Sequence, residues 1–431
     1  MTVGRASTGD ARQSVELAAR ESYGRLLAWL TSRSGSLEAA EDALADALTS
    51  ALSTWPESGV PQNPEAWLLT VARRRLIDAR RRATTRSDAA PAMTYEAQLR
   101  LHREAAEATD LPHRMRLPER RLELMLMCAH PDIPEAMRTP LMLQAVLGLN
   151  AQQIGSAMMV APATIGQRLV RVKRHIKERA IPFEVPDASV LPERVRHLLD
   201  AVYAAYGTGW ESAPDLAGGV RGLAGEAIWL AGLLVRLLPD VAEAKGLYAL
   251  LCLCESRRAA RRTPDGSFVP LEQQDTDLWD HELILEGEKA LWLATRQRQA
   301  GVYQIEASIH SLHAHRARTG TIDWRGVHCA YRTLVKLYPA LGAQVGYAAS
   351  HGRVGDPEAG LRLLDELPAE ATRRHQPYWA VRAWLLGVLG RRGEADASYD
   401  RAIGLSEDPA VRAWLAGQRA DIAAGPTGDD G

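Results

Sequence analysis

The stretch GLNAQQIGSAMMVAPATIGQRLVRVKRHIKE, residues 148–178, decides how this chain folds. Asn150 suits the N-cap of a short helix carrying Ile154, Ala157 and Met158. Val160 and Ala161 make a tight turn, and Pro162 fits the first position of the next helix. Ile165, Leu169, Val172 and Ile176 then follow at spacings of four, three and four, which is one buried stripe. Thr164, Gln167, Arg168, Arg171 and Arg174 or His175 project from other faces. A short helix, a short turn and a longer basic helix make a helix-turn-helix, whose second helix enters a major groove. Gln and Arg suit bidentate contacts with base edges, and Lys and Arg suit phosphates. The plainer reading is an α-hairpin with a basic outer face.

A second basic helix lies upstream. NPEAWLLTVARRRLIDARRR (63–82) holds six arginines. Asn63 is a good N-cap and Pro64 suits the first turn. Leu68, Val71, Ala72, Leu76 and Ala79 form its apolar stripe, while Thr70, Arg73, Arg74, Ile77, Arg80 and Arg81 fall elsewhere. Twenty residues of helix span about 30 Å, enough to follow several phosphates. Just before it, Ser36 caps a helix with the stripe Leu37, Ala40, Leu44, Ala47, Leu48 and Ala51, leaving Glu41, Asp42 and Asp46 outward. Taken alone, either charged face could be merely solvated.

The whole chain is nearly neutral, with 52 Lys plus Arg against 53 Asp plus Glu in 431 residues, so bulk charge names no partner. Its distribution does. Residues 15–60 carry seven acids and three bases, whereas 161–179 carry six bases and one acid. Such segregation suggests separate surfaces for separate partners. The first residues, MTVGRASTGDARQ, lack the apolar core of a signal peptide. Apolar runs such as AIWLAGLLVRLL (227–238) are too short or too charged to span a bilayer. Cys128, Cys252, Cys254 and Cys329 form no paired CxxC set. A reducing, cytoplasmic setting is expected.

Helical spacing dominates and β-branched alternation is scarce, so the expected fold is all-α. Residues 15–82 read as one helical domain, 83–117 as a linker, 118–180 as the helix-turn-helix domain and 194–418 as helix pairs. IPFEVPDASVLPE (181–193), with three prolines, reads as a hinge. GDPEAGLRLLDEL (355–367) and GEADASYDRAIGL (393–405) repeat at an offset of 38. The second resembles part of a tetratricopeptide helix pair that would bury Ala395, Tyr399, Ala402 and Ile403.

Together these segments resemble the extracytoplasmic-function (ECF, sigma-70 family) sigma factors of bacterial RNA polymerase. AEDALADALTSAL (40–52) is similar to that family's polymerase-binding helix. WPESGVPQNPEAWLLTVARRRLIDARRR (55–82) resembles its −10 loop and helix, and residues 117–174 resemble its −35 domain. RRTPDGSFVPLEQQDTDLWDHELILEGEKAL (261–291) and GVYQIEASIHSLHA (301–314) are similar to the long C-terminal extension of a subgroup with tetratricopeptide-like repeats. The resemblance implies that Glu41, Asp42 and Asp46 dock on core RNA polymerase, through its β′ and β subunits. It implies that Trp55, Asn63, Arg73, Arg74, Arg80 and Arg81 serve the −10 element, with Ser53 to Gln62 as the loop that pockets a flipped base. Trp55 and Trp67 are aromatic candidates there, although core packing also explains them. It implies that Thr164, Gln167, Arg168, Arg171 and Arg174 read the −35 element of promoter DNA. A protein regulator acting through the C-terminal domain is the further partner implied.

Departures are few. Ala45 stands where the family usually has Gln, and Gly166 lies inside the recognition helix. Gly155 replaces a usual alanine, which reads as a small cost in a helix interior. LGAQVGYAASH (341–351) keeps the family's downstream pattern poorly.

Nothing in the sequence points to catalysis, a cofactor or a metal. QQDTDLWDHE (273–282) is explained by Asp275 or Asp277 capping a helix. Cys252 and Cys254 point to different faces, Cys128 with His130 lacks two further ligands, and His310, His313 and His315 have no acid at ligand spacing. The alternatives to a sigma factor are a helix-turn-helix regulator with a C-terminal partner-binding domain, or an enzyme with its site in 194–418. A repressor needs no acidic docking helix followed by a strand-opening loop.

Overall fold

In the computed structural model, residues 8–86, 117–158, 160–181, 183, 189–211 and 221–424 are described. They form helices, and among them strand pairing is limited to one antiparallel bridge, Arg262 with Phe268. The all-α expectation holds. The chain divides into two units, Met1–Leu233 and Leu234–Gly431.

The first unit is built on α1 (Thr8–Ser34), α2 (Leu37–Ser58) and α3 (Pro64–Arg86), each packed on the other two. The Ser36 hydroxyl accepts from the Ala39 amide at 3.3 Å, which starts α2 as its cap. Asn63 caps α3 by accepting from the Ala66 amide at 3.0 Å. Arg25 of α1 grips Glu65 of α3 through Nε at 3.1 Å and Nη2 at 3.0 Å. The α3 stripe is narrower than its spacing suggests. Leu68 and Ala72 are fully buried, Val71 and Leu76 half-buried, and Ala79 exposed. The helix therefore leaves the core as it proceeds toward its arginine-rich end. Of the expected linker at 83–117, residues 87–116 lie outside the described residues.

Helix α1 also packs on α4 (Leu117–Cys128) and α5 (Glu135–Leu147). The crossing with α5 is tight at Gly24, where an added Cβ would fall 1.7 Å from the Val146 carbonyl oxygen. Only a residue without a side chain permits that approach. The helix-turn-helix follows as α6 (Ala151–Met158) and α7 (Pro162–Glu178). Asn150 Oδ1 accepts from the amides of Gln152 and Gln153 at 3.0 Å, and Gln153 Oε1 accepts from the Asn150 amide at 3.0 Å, a reciprocal cap. Gly155 is not the small defect expected from sequence. A Cβ there would lie 2.5 Å from the Val160 carbonyl oxygen, so glycine is what the turn requires.

Helix α8 (Leu191–Glu211) lies on α4, α5 and α6 and buries Val195, Leu198, Val202 and Tyr206. Arg138 of α5 donates to the Ile133 carbonyl at 3.0 Å and reaches the His197 ring at 2.7 Å, tying the two helices together. The sequence places 194–211 in the C-terminal domain, but α8 belongs to the first unit, which runs to Leu233. Its apolar face is covered by helices some sixty residues upstream, such as the one carrying Arg138. That partner cannot be read from local spacing. Helix α9 (Arg221–Leu237) carries Glu226, which pairs with the buried Arg121 of α4.

The second unit continues through α10 (Ala242–Glu255), an irregular segment with three short 3-10 turns, α11 (His281–Thr295) and α12 (Val302–Ala314). Then come α13 (Trp324–Leu337), α14 (Leu341–Arg353), α15 (Pro357–Asp365), α16 (Gln376–Val388), α17 (Arg392–Leu405) and α18 (Pro409–Ala424). Both copies of the internal repeat are second helices of a pair, α15 packed on α14 and α17 on α16. Ala395, Tyr399 and Ala402 are buried and Ile403 is half-buried. In the 273–282 stretch, Asp275 accepts from the Asp277 amide at 3.0 Å. Asp280, not Asp277, caps α11, accepting from the amides of Glu282 and Leu283 at 3.0 Å.

Candidate nucleic-acid interface

Helix α7 buries Ile165, Leu169, Val172 and Ile176, the stripe its spacing predicts. That fixes its rotation, and rotation decides which residues face outward. Gln167, Arg168, Arg171 and Arg174 are exposed, and Thr164 is half-buried. Arg174 leans on Glu178 at 3.7 Å with both side chains well exposed. The Cβ position of Gly166 has open space around it, so nothing inside the protein demands glycine there. The outer side of α7 from Gln167 to Arg174 is thus an exposed ridge of polar and basic side chains.

Helix α3 offers a second basic surface. Arg74 and Arg81 are exposed and Arg73 is half-buried. The side chain of Arg80 lies outside the described residues. Trp55 departs from the sequence expectation: it is wholly buried, with its ring 5.5 Å from that of Trp67 in an edge-to-face contact. It offers no face to a base and serves as core between α2 and α3. The segment from Ser53 to Gln62 is also not all loop. Helix α2 continues through Ser58, and its end is closed by the Gly59 amide donating to the Trp55 carbonyl at 3.0 Å. The sequence signal for this was the stripe of α2 itself: Trp55 falls four residues after Ala51.

The acidic face of α2 is not uniformly outward. Asp42 and Asp46 are exposed, and Asp46 sits 3.9 Å from Arg75. Glu41 instead faces Lys173 of α7 at 2.7 Å, with side chains only 15% and 20% exposed. Lys177 of α7 reaches Glu38 of α2 at 2.6 Å. Burial pushes the Glu41 carboxyl up, and Lys173 opposes that push. The helix expected to dock on polymerase and the helix expected to read DNA are therefore joined by two ion pairs. Neither Glu38 nor Lys173 stood out in sequence, because no spacing rule links residues 132 or 139 positions apart.

Among the described residues, no group of three or more His, Cys, Asp or Glu could hold a metal ion. None of their helices is long and apolar enough to cross a membrane.

Residues 19–86, which include α2 and α3, match Sigma-70 region 2. The match supports a sigma-70 family sigma factor, the class of protein that acts with core RNA polymerase and promoter DNA in transcription initiation. Residues 194–295 match a family of unknown function, DUF6596, a span that runs from α8 of the first unit into α11 of the second. The chain belongs to one family with an uncharacterized protein of Rhizobium meliloti (strain 1021), to which it is 34% identical over 390 residues, 90% of this chain and 91% of that one. No solved structure matches.

Proposed function

We propose that this protein is an ECF-type sigma factor of the cytoplasm, in which α6 and α7 read the −35 element and the second unit is a tetratricopeptide-like regulatory extension. The observation that carries the reading is the rotation of α7. Its apolar stripe is wholly buried while Gln167, Arg168, Arg171 and Arg174 stand exposed on its outer side. That is the side-chain set suited to base edges and phosphates. The sigma-70 region 2 next to it gives such a reader a polymerase to work with.

In this reading Asp42 and Asp46 meet the polymerase first, since both are exposed. Glu41 joins them only when Lys173 lets go. The Glu41–Lys173 and Glu38–Lys177 pairs then hold the free factor closed, and polymerase binding separates α2 from α7. Arg73, Arg74 and Arg81 of α3 contact the backbone of the −10 region, and Asn63 fixes where that helix begins.

The test is run-off transcription with purified core polymerase on genomic fragments. A discrete transcript that requires this chain is expected. A chain that binds DNA but gives no transcript with core enzyme is instead a conventional helix-turn-helix regulator. The extension is tested by ending the chain at Leu237. That keeps α8, which packs on the helix-turn-helix, and Glu226, which pairs with Arg121. Altered transcription without the second unit is expected. Equal transcription under all conditions would remove the regulatory role.

A further inference from the structure

A half-open cavity of about 360 Å³ lies in the second unit. That volume is in the range of small-molecule sites. Its walls come from six helices and from the irregular segment at 270–273. Three tryptophans line it, Trp324, Trp384 and Trp414, with Tyr331 and Tyr399. Among this aromatic surface stands one cation, Arg353, the last residue of α14. Its guanidinium carbon lies 4.5 Å from the Trp384 ring centre and 5.1 Å from that of Trp324.

We propose that this cavity binds a small planar aromatic carboxylate, with its ring against the tryptophans and its carboxylate on Arg353. Arginine presents a planar fork that takes a carboxylate through two parallel hydrogen bonds. The only hydrogen bond described for the Arg353 guanidinium runs from Nη2 to Glu272 Oε1, at 2.6 Å. Both partners of that pair are more than a third exposed, and such pairs contribute little. Glu272 thus occupies the fork as a replaceable internal carboxylate.

The rest of the wall favours an anion. Arg316 donates to the carbonyls of Leu271, Glu272 and Gln274 at 3.2, 2.7 and 2.6 Å, so the turn bearing Glu272 is fixed by a cation. Buried His313 lines the cavity, and burial with Arg257, Arg316 and Arg353 pushes its pKa down to about 4. Its Nδ1 has no hydrogen-bond partner in the protein. An organic cation fits worse, because the Arg353 guanidinium beside Trp324 and Trp384 already places a positive charge in the pocket.

The site is independent of the sigma-factor reading, and its test needs no polymerase. Naphthoate, naphthalenemethanol and naphthylmethylamine share one ring and differ in charge. Each is titrated calorimetrically into the full-length chain. Naphthoate should saturate and bind at least ~10-fold more tightly than the alcohol, the scale of one charge-assisted hydrogen bond. Arg353→Gln should abolish that preference. Glu272→Gln, a change on a half-exposed turn, should tighten naphthoate, since it removes the internal competitor; an unchanged melting curve shows that it folds. Equal binding of acid and alcohol, preference for the amine, weaker naphthoate binding by Glu272→Gln, or no saturation by any probe would each overturn the proposal. So would binding of a short acidic peptide where naphthoate fails.

Discussion

The two units carry their chemistry in opposite ways. In the first, the residues proposed to meet polymerase and DNA lie on outer helix faces: exposed arginines on α3 and α7, exposed acids on α2. In the second, the residues proposed to bind a ligand line a half-open pocket gathered from six helices and one irregular segment. A face is set by residues three and four apart, so one helix is enough to define it. A cavity is set by residues brought together from positions as distant as Pro270 and Gln418. The first kind of site announces itself in sequence, and the second does not.

The largest expected effect comes from Trp55, which the family resemblance assigned to the −10 element and which is core. Trp55→Ala should destabilise the first unit by about 3–5 kcal/mol, the usual cost of emptying a buried tryptophan site. Denaturant unfolding followed by circular dichroism measures it, and the transition of the second unit should stay in place. Unchanged stability with impaired promoter opening would restore Trp55 to the stacking role.

Next comes the pH response of the second unit. His313 titrates near 6.5 when unfolded and is held at about 4 in the fold. Between those values the unfolded chain binds the proton and the folded chain does not. Stability is therefore complete above about pH 6.5 and lost as pH falls through about 4, by on the order of 3 kcal/mol. Arg257, Arg316 and Arg353 act on this ring, and His310 stands beside Arg257 at 2.9 Å. His313→Gln should flatten the slope in melts taken from pH 7 to pH 4. A slope unchanged by that variant assigns the acid sensitivity to other groups.

These two cases show where the sequence stops being legible. The α7 stripe, the Asn150 and Asn63 caps and the helical class follow from short-range spacing, and the structure keeps them. At Trp55 the resemblance placed a loop from Ser53 to Gln62, whereas α2 runs on through Pro56 to Ser58 and buries the ring. Gly155 misleads because a helix propensity scale ignores the carbonyl that would strike its side chain. Helix α8 misleads because the proline-rich stretch before it looks like a domain border, while its covering partners lie on α4, α5 and α6. The α8 and Trp55 misses are tertiary packing overriding a local preference, and the Gly155 miss is the geometry of a tight turn.

On the first unit's outer faces, direct reading and phosphate contact should separate. Arg171→Ala should cost about 1–3 kcal/mol on matched −35 DNA and little on scrambled DNA. Arg74→Ala should weaken binding evenly across sequences and flatten its salt dependence. Fluorescence anisotropy at several salt concentrations distinguishes them. Equal losses for Arg171→Ala on matched and scrambled DNA would reduce α7 to a phosphate-binding helix.

The smallest effect tests whether the two surfaces of the first unit restrain each other. Glu41 and Lys173 are mostly covered, so their pair is less screened than the open Lys177–Glu38 pair. Burial already works against the Glu41 charge, and Lys173 is what opposes that burial. Lys173→Met keeps the stem that packs beside α2 and removes the charge. The α2–α7 contact then loses an attraction on the order of 1 kcal/mol, and α2 becomes easier to release. Core polymerase, competing for the same acidic face, should bind roughly fivefold more tightly. Adding Glu41→Gln should cancel that gain, because in the proposed function the restraint and the docking contact share one carboxylate. Surface plasmon resonance with immobilised core enzyme reads both variants. Weaker binding by Lys173→Met would mean that the lysine itself touches polymerase, and the acidic and basic helices would then act as one docking surface.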